Sequence, residues 1–219
     1  MTMNEKTGVV FSIAEDNVPV AGCTISKSVC TEPNAVSYFS LAEETDISAE
    51  IYPYNKILIV ASGCAEVYGW DIESVRLHEG DGLITQTDTP VGIRTDEGTV
   101  YTEIALRKED IMNKAVKAGE VFDLKDLVPY QDGKIVNMDV AHNEKMKFVV
   151  MSFDEGTGLD EHAAPGDALI FALDGKAVIG YEGKEYPIEA GQNFHFAKGG
   201  MHSVKADGKF KMALLLTLE

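Results

Sequence analysis

Apolar residues come in short runs along this chain. Ile57–Ala61, Leu169–Leu173 and Met212–Leu218 are the clearest, and Gly, Asp, Asn or Pro interrupts the chain around them. Turn signals recur throughout, among them Ser62-Gly63, Glu79-Gly80-Asp81, Glu97-Gly98, Asp174-Gly175, Glu182-Gly183, Ala190-Gly191 and Asp207-Gly208. Short strands closed by glycine turns at such a rhythm predict a β-sandwich or barrel. Helical periodicity is scarce. Asp110–Lys117 predicts a weakly amphipathic helix, and Asp123 is placed to cap a short turn over Leu124–Val128 that Pro129 ends. The expected fold class is all-β.

The pattern occurs twice. Phe39–Gly63 (FSLAEETDISAEIYPYNKILIVASG) and Met151–Gly175 (MSFDEGTGLDEHAAPGDALIFALDG) align without a gap at an offset of 112 residues. Each runs from polar residues through a proline, Pro53 or Pro165, to an apolar strand and a glycine. Arg76–Asp81 then matches Pro187–Gln192 at an offset of 111, and Val100–Leu106 matches Phe210–Leu216 at 110. A fixed period of this kind marks a duplicated unit. The expected organisation is a first barrel over 1–108, a connector over 109–131 and a second barrel over 132–219.

Composition narrows the function classes. With 45% hydrophobic and 25% charged residues among 219, the chain is globular in character. A net charge of −17 argues against nucleic acid, whose phosphates need a basic face, and against anionic membrane surfaces. No run approaches the length of a membrane span, and Met1–Phe11 has no basic region leading into a long apolar core, so neither a span nor a leader is expected. Cys23, Cys30 and Cys64, with no paired spacing, fit free thiols in a reducing compartment, and a cytoplasmic location is expected. No GxSxG, phosphate-binding loop, GxGxxG or zinc-finger spacing occurs.

The second copy carries two recognisable motifs. Gly156–Gly175 (GTGLDEHAAPGDALIFALDG) resembles the first motif of the cupin superfamily, and Gly191–His202 (GQNFHFAKGGMH) resembles its second. The resemblance extends, once per copy, over almost the whole chain. It implies two tandem jelly-roll β-barrels, a bicupin, and a homodimer, since cupin barrels commonly pair. Metal-binding cupins draw two histidines and a glutamate from the first motif and a histidine from the second. Here His162 and His202 match two of those positions, while Ala164 and Ala168 stand at the other two. Ala197 and Ala206 replace a proline and an asparagine of the second motif. In the first copy Glu50, Tyr52 and Val91 stand where His162, Ala164 and His202 do, so that barrel is expected to be structural or a partner surface.

His162 and His202 are therefore the candidate chemical pair. They suit either one divalent transition metal (Zn, Fe, Ni or Mn), with Asp160 as a third donor in phase on the same strand, or a metal-free polar pocket. Phe194, Phe196, Ile170 and Ala172 would wall such a pocket, and Ala164 and Ala168 would enlarge it. Two functions stay open: a non-catalytic binder of a small molecule in the second barrel, and a metal-dependent enzyme (oxygenase, decarboxylase, isomerase or lyase) acting on a small carboxylate or sugar. Of the remaining residues, His195 between two inward phenylalanines is expected to point outward, at the surface or in an interface, and Asp167 is expected to face outward in a turn or interface. Glu161 should face away from the pocket, and His78 and His142 should be solvated. Met151 and Met212 are expected as core filler. Trp70, in Tyr68–Asp71, is expected to pack or to serve a contact.

Overall fold

The structure is a computed structural model and describes residues 3–70 and 72–218. It is built almost wholly of strands. The first half contributes β1 (Val10–Phe11), β2 (Thr24–Cys30), β3 (Val36–Leu41), β4 (Thr45–Ile51), β5 (Lys56–Gly69), β6 (Ile72–His78), β7 (Asp81–Ile84), β8 (Pro90–Thr95) and β9 (Thr99–Ala105). The second contributes β10 (Ile111–Met112), β11 (Val121–Asp123), β12 (Ile135–His142), β13 (Met146–Phe153), β14 (Gly158–Ala163), β15 (Gly166–Tyr181), β16 (Lys184–Glu189), β17 (Asn193–Phe196) and β18 (Met201–Leu218). Among the described residues helix is confined to α1 (Ile13–Asp16) and a 3-10 turn at Leu124–Leu127, the latter where Asp123 and Pro129 predict a short turn.

The strands form two nine-stranded antiparallel sheets, each curled into its own barrel. The first runs β11-β7-β5-β9-β3-β2, with β6 and β8 on β5 and β4 on β8. The second runs β1-β17-β15-β18-β13-β12-β10, with β14 on β18 and β16 on β15. Register shows how closely one copy repeats the other. Glu50 pairs with Val91 as His162 pairs with His202, Val67 with Val75 as Ile179 with Tyr186, and Leu58 with Leu83 as Ile170 with Phe194. The last strand corrects the sequence alignment. Val60 pairs with Tyr101 and Ala172 with Met212, so the offset there is 111, and Val100 corresponds to Lys211 rather than Phe210.

Gly63 and Gly175 mark bulges inside long strands, not turns. Both have positive φ (74° and 72°), and a Cβ on either would sit 2.1 Å from the Gly98 carbonyl oxygen or 1.8 Å from that of Lys209. A bulge with glycine in the left-handed region bends a strand without ending its pairing. This is how β5 and β15 each serve both faces of their barrel.

The boundaries differ from the sequence expectation. The first unit comprises Ile13–Asp110 and Lys114–Asp123; the second comprises residues up to Ser12, Ile111–Asn113 and the chain from Leu124 on. The cause is strand pairing: β1 pairs with β17 and β10 with β12 of the second barrel, whereas β11 pairs with β7 of the first. The helix expected over Asp110–Lys117 is absent. The Asp110 carboxylate, its natural cap, instead accepts hydrogen bonds from the Arg107 N–H (2.6 Å) and the Asn34 side chain (2.7 Å). Ile111 is left exposed on an edge strand, so the apolar face has nothing to pack on. The three cysteines form no disulfide. Among the described residues no helix is long and apolar enough to cross a membrane.

Candidate functional site

Two strands bring the histidine pair together. β14 and β18 set His162 directly opposite His202, with ring centroids 4.2 Å apart. Each Nδ1 lies against a main-chain oxygen two residues back, His162 against Asp160 O (2.8 Å) and His202 against Gly200 O (3.2 Å). A carbonyl oxygen only accepts, so Nδ1 donates in both rings, and in the neutral form each Nε2 keeps its lone pair. Burial pushes the His202 pKa down, opposed by the Gly200 hydrogen bond and reinforced by the neighbouring His162. His202 is therefore a neutral base at the barrel wall, with His162 exposed beside it.

A metal would need more than this pair. Ala164 and Ala168 are buried at the two other ligand positions and carry no donor atom. Asp160 does not fill the gap. A register shift between Leu159 and His162 breaks the alternation that would aim it inward, and it is exposed. Among the described residues no three His, Cys, Asp or Glu side chains come close enough to share an ion. The residues present are two donors short of the four that metal-binding cupins supply, and they do not fit a closed site.

Large apolar side chains pack together inside the second barrel. Phe194, Phe196 and Ile170 are 0%, 1% and 0% exposed, packed among one another and their neighbours. Phe196 stacks on His202 at 4.2 Å and is the cross-strand partner of Ala168, so its ring takes the room the alanine leaves. Phe194 lies 5.1 Å from Phe196, and Tyr181 and Tyr186 complete the cluster at 5.2–5.7 Å. Such ring pairs add about 0.5–1.5 kcal/mol each beyond their buried area. Met151 and Met212 fill the same core.

Two residues expected to face outward are covered rather than exposed. His195 does turn away from the barrel interior, but the segment before β1 covers it: Gly8 N–H donates to its carbonyl oxygen (3.1 Å), and Thr7 Oγ1 bonds its Nδ1 (3.0 Å). Burial depresses its pKa as well. Asp167 is buried on the same side and accepts from Met3 N–H (2.7 Å) and Lys198 N–H (2.8 Å). Glu161 and His78 are exposed and His142 partly so. Trp70 is 67% exposed, and Asp71 beside it lies outside the described residues.

The first barrel keeps space where the second has rings. At the positions of Phe194, Phe196, Tyr186 and Tyr181 stand Leu83, Thr85, Val75 and Gly69. A cavity of about 310 Å³ results, lined by Val67, Ile72, Val75, Leu83 and Val91 and by Glu73, Thr85, Gln86, Thr89 and Gly119. The polar side chains of this barrel gather at the positions the second fills with alanine and leucine. Lys56, 9% exposed, stands where Ala168 does; its ammonium pairs with Glu103 (3.0 Å) and lies 3.6 Å from the centre of the Tyr52 ring. Tyr52 Oη donates to Glu50 (2.5 Å), and burial and that bond raise the phenol's pKa. Burial and the nearby Glu103 do the same to Tyr101, whose hydroxyl is enclosed. Motif matching overlooks Lys56, Glu103 and the cavity. The signal lies in comparing inward positions of the two copies, large against small.

A family model described as "Cupin domain" matches residues 149–218, the second barrel. A cupin 2 conserved barrel domain protein from Leptotrichia buccalis superposes with a TM-score of 0.86 at 25% identity, covering 99% of this chain and 100% of that one. Protein Ylba from E. coli (TM-score 0.61, 11% identity, 99% and 94% covered) and an oxalate decarboxylase variant from Bacillus subtilis (0.52, 12%, 99% and 79%) share the fold. A search of curated protein sequences finds no match. Residues 149–218 thus match a cupin domain, the first barrel repeats the strand registers of the second, and the whole chain shares the fold of the Leptotrichia buccalis conserved barrel protein.

Proposed function

We propose that this protein binds a small organic molecule without metal chemistry, and that the first barrel's cavity is where the molecule sits. One observation carries the reading: the four rings that close the second barrel are replaced, position for position, by Leu83, Thr85, Val75 and Gly69, leaving about 310 Å³. That volume is at the lower end of small-ligand pockets, and a mostly aliphatic wall with a few polar groups is their usual lining. The sequence reading of a small-molecule binder is kept, but its site moves from the closed barrel to the open one. The alternative, a metal-dependent enzyme, rests on His162 and His202 alone, and that donor set falls short of a metal centre.

The test is to refill the cavity with the second barrel's own residues. Leu83→Phe and Val75→Tyr should each abolish any bound mass seen by native mass spectrometry of the purified protein. Each should also raise the thermal midpoint of the ligand-free protein, in line with the ~0.5–2 kcal/mol typical of cavity filling. Bound mass retained in both variants would remove the reading.

A further inference from the structure

We infer that the first-barrel cavity is built for a small organic cation, an amine with an apolar body; this rests on the reading of that cavity as the ligand site. Among the described residues the cavity wall carries one ionisable side chain, Glu73, and no Lys, Arg or His. Its apolar part is aliphatic, suited to a hydrocarbon body. Val91 in that wall is the cross-strand partner of Glu50, and Thr85 Oγ1 accepts the Lys56 main-chain N–H (2.9 Å), so strands that carry the barrel's charged cluster pair with strands that line the cavity. That cluster already holds one ammonium, that of Lys56, with a carboxylate on one side and the Tyr52 ring on the other. In the cavity wall itself no cation among the described lining residues offsets the Glu73 carboxylate, and the Lys56 ammonium is already paired with Glu103. An added carboxylate would meet an excess of negative charge, whereas an added ammonium offsets it. The net charge of −17 draws cations from solution in the same direction.

Three probes of one body shape separate charge from fit: cyclohexylamine, cyclohexanol and cyclohexanecarboxylate, titrated into the full-length protein by calorimetry at neutral pH. The amine should bind at least about tenfold more tightly than the carboxylate, a difference of about 1.4 kcal/mol. Glu73→Gln, at an exposed position, should weaken the amine severalfold and leave cyclohexanol unchanged. Tighter binding of the carboxylate, or equal binding of all three that ignores Glu73→Gln, would overturn the cation assignment while leaving the cavity as a ligand site. Absence of binding by all three at millimolar concentration would overturn it too, with the bound-mass experiment deciding the cavity separately. Binding of any probe that survives both Leu83→Phe and Val75→Tyr would sink the cavity reading itself.

Discussion

Two imidazoles in this protein are held neutral by burial, and that has a direction in pH. The pKa values of His195 and His202 lie below the ordinary 6.5 because the folded chain desolvates them. Above that value both are neutral, folded or unfolded. Below it the unfolded chain takes up protons that the folded chain refuses, so stability falls as pH drops through 6.5 toward the depressed values. Wild-type protein should therefore show a lower urea midpoint at pH 5.5 than at pH 7.5. His195→Asn should flatten that dependence; an unchanged slope would show that His195 is not a source of it. Residue by residue, the sequence disclosed the His162–His202 pair because a motif spaces them. It did not disclose that Phe196 would close over His202, since whether a ring fills a barrel depends on its partner across the sheet, here Ala168. Nor could it show Lys56 as an interior ammonium. A lysine on an apolar strand declares itself only when Glu103 and Tyr52 are seen around it.

At the scale of elements, strand rhythm was readable and strand continuity was not. Glycines mark real turns at Glu182-Gly183, but Ser62-Gly63 and Asp174-Gly175 lie within unbroken strands. The two classes should respond differently to a methyl group. Gly175→Ala must adopt a positive φ and also meet the Lys209 carbonyl oxygen, so it should cost on the order of 3 kcal/mol in urea unfolding. Gly183 has the same φ sign with open space around it, and its alanine variant should lose about 1 kcal/mol. Equal losses would mean that the strand at Gly175 gives way easily. The segment Asp110–Lys117 was misread for a related reason: its helical periodicity is weak, and two main-chain pairings from Ile111 and Met112 to β12 satisfy the chain instead.

For the whole molecule, duplication was legible because the spacing of strands repeats. The exchange of short segments was not, because β1, β10 and β11 are only two or three residues long and leave no pattern. Their assignment matters to stability. Removing residues up to Ser12 strips the cover from His195 and Asp167 and leaves β17 paired on one side only, with β15. Hydrogen exchange should then quicken at Asn193–Phe196 while β3 of the first barrel stays protected; unchanged exchange at β17 would show that the segment is dispensable.

The pairing of β1 with β17 also imposes a schedule on synthesis. Phe11 is made some 180 residues before Asn193, its partner. At about 5–20 residues per second that is an interval of ~10–40 s. Every strand of the first barrel is complete once Asp123 has emerged. That barrel can therefore close on the ribosome while the leading strand ahead of it waits, unpaired, for the last barrel to be born.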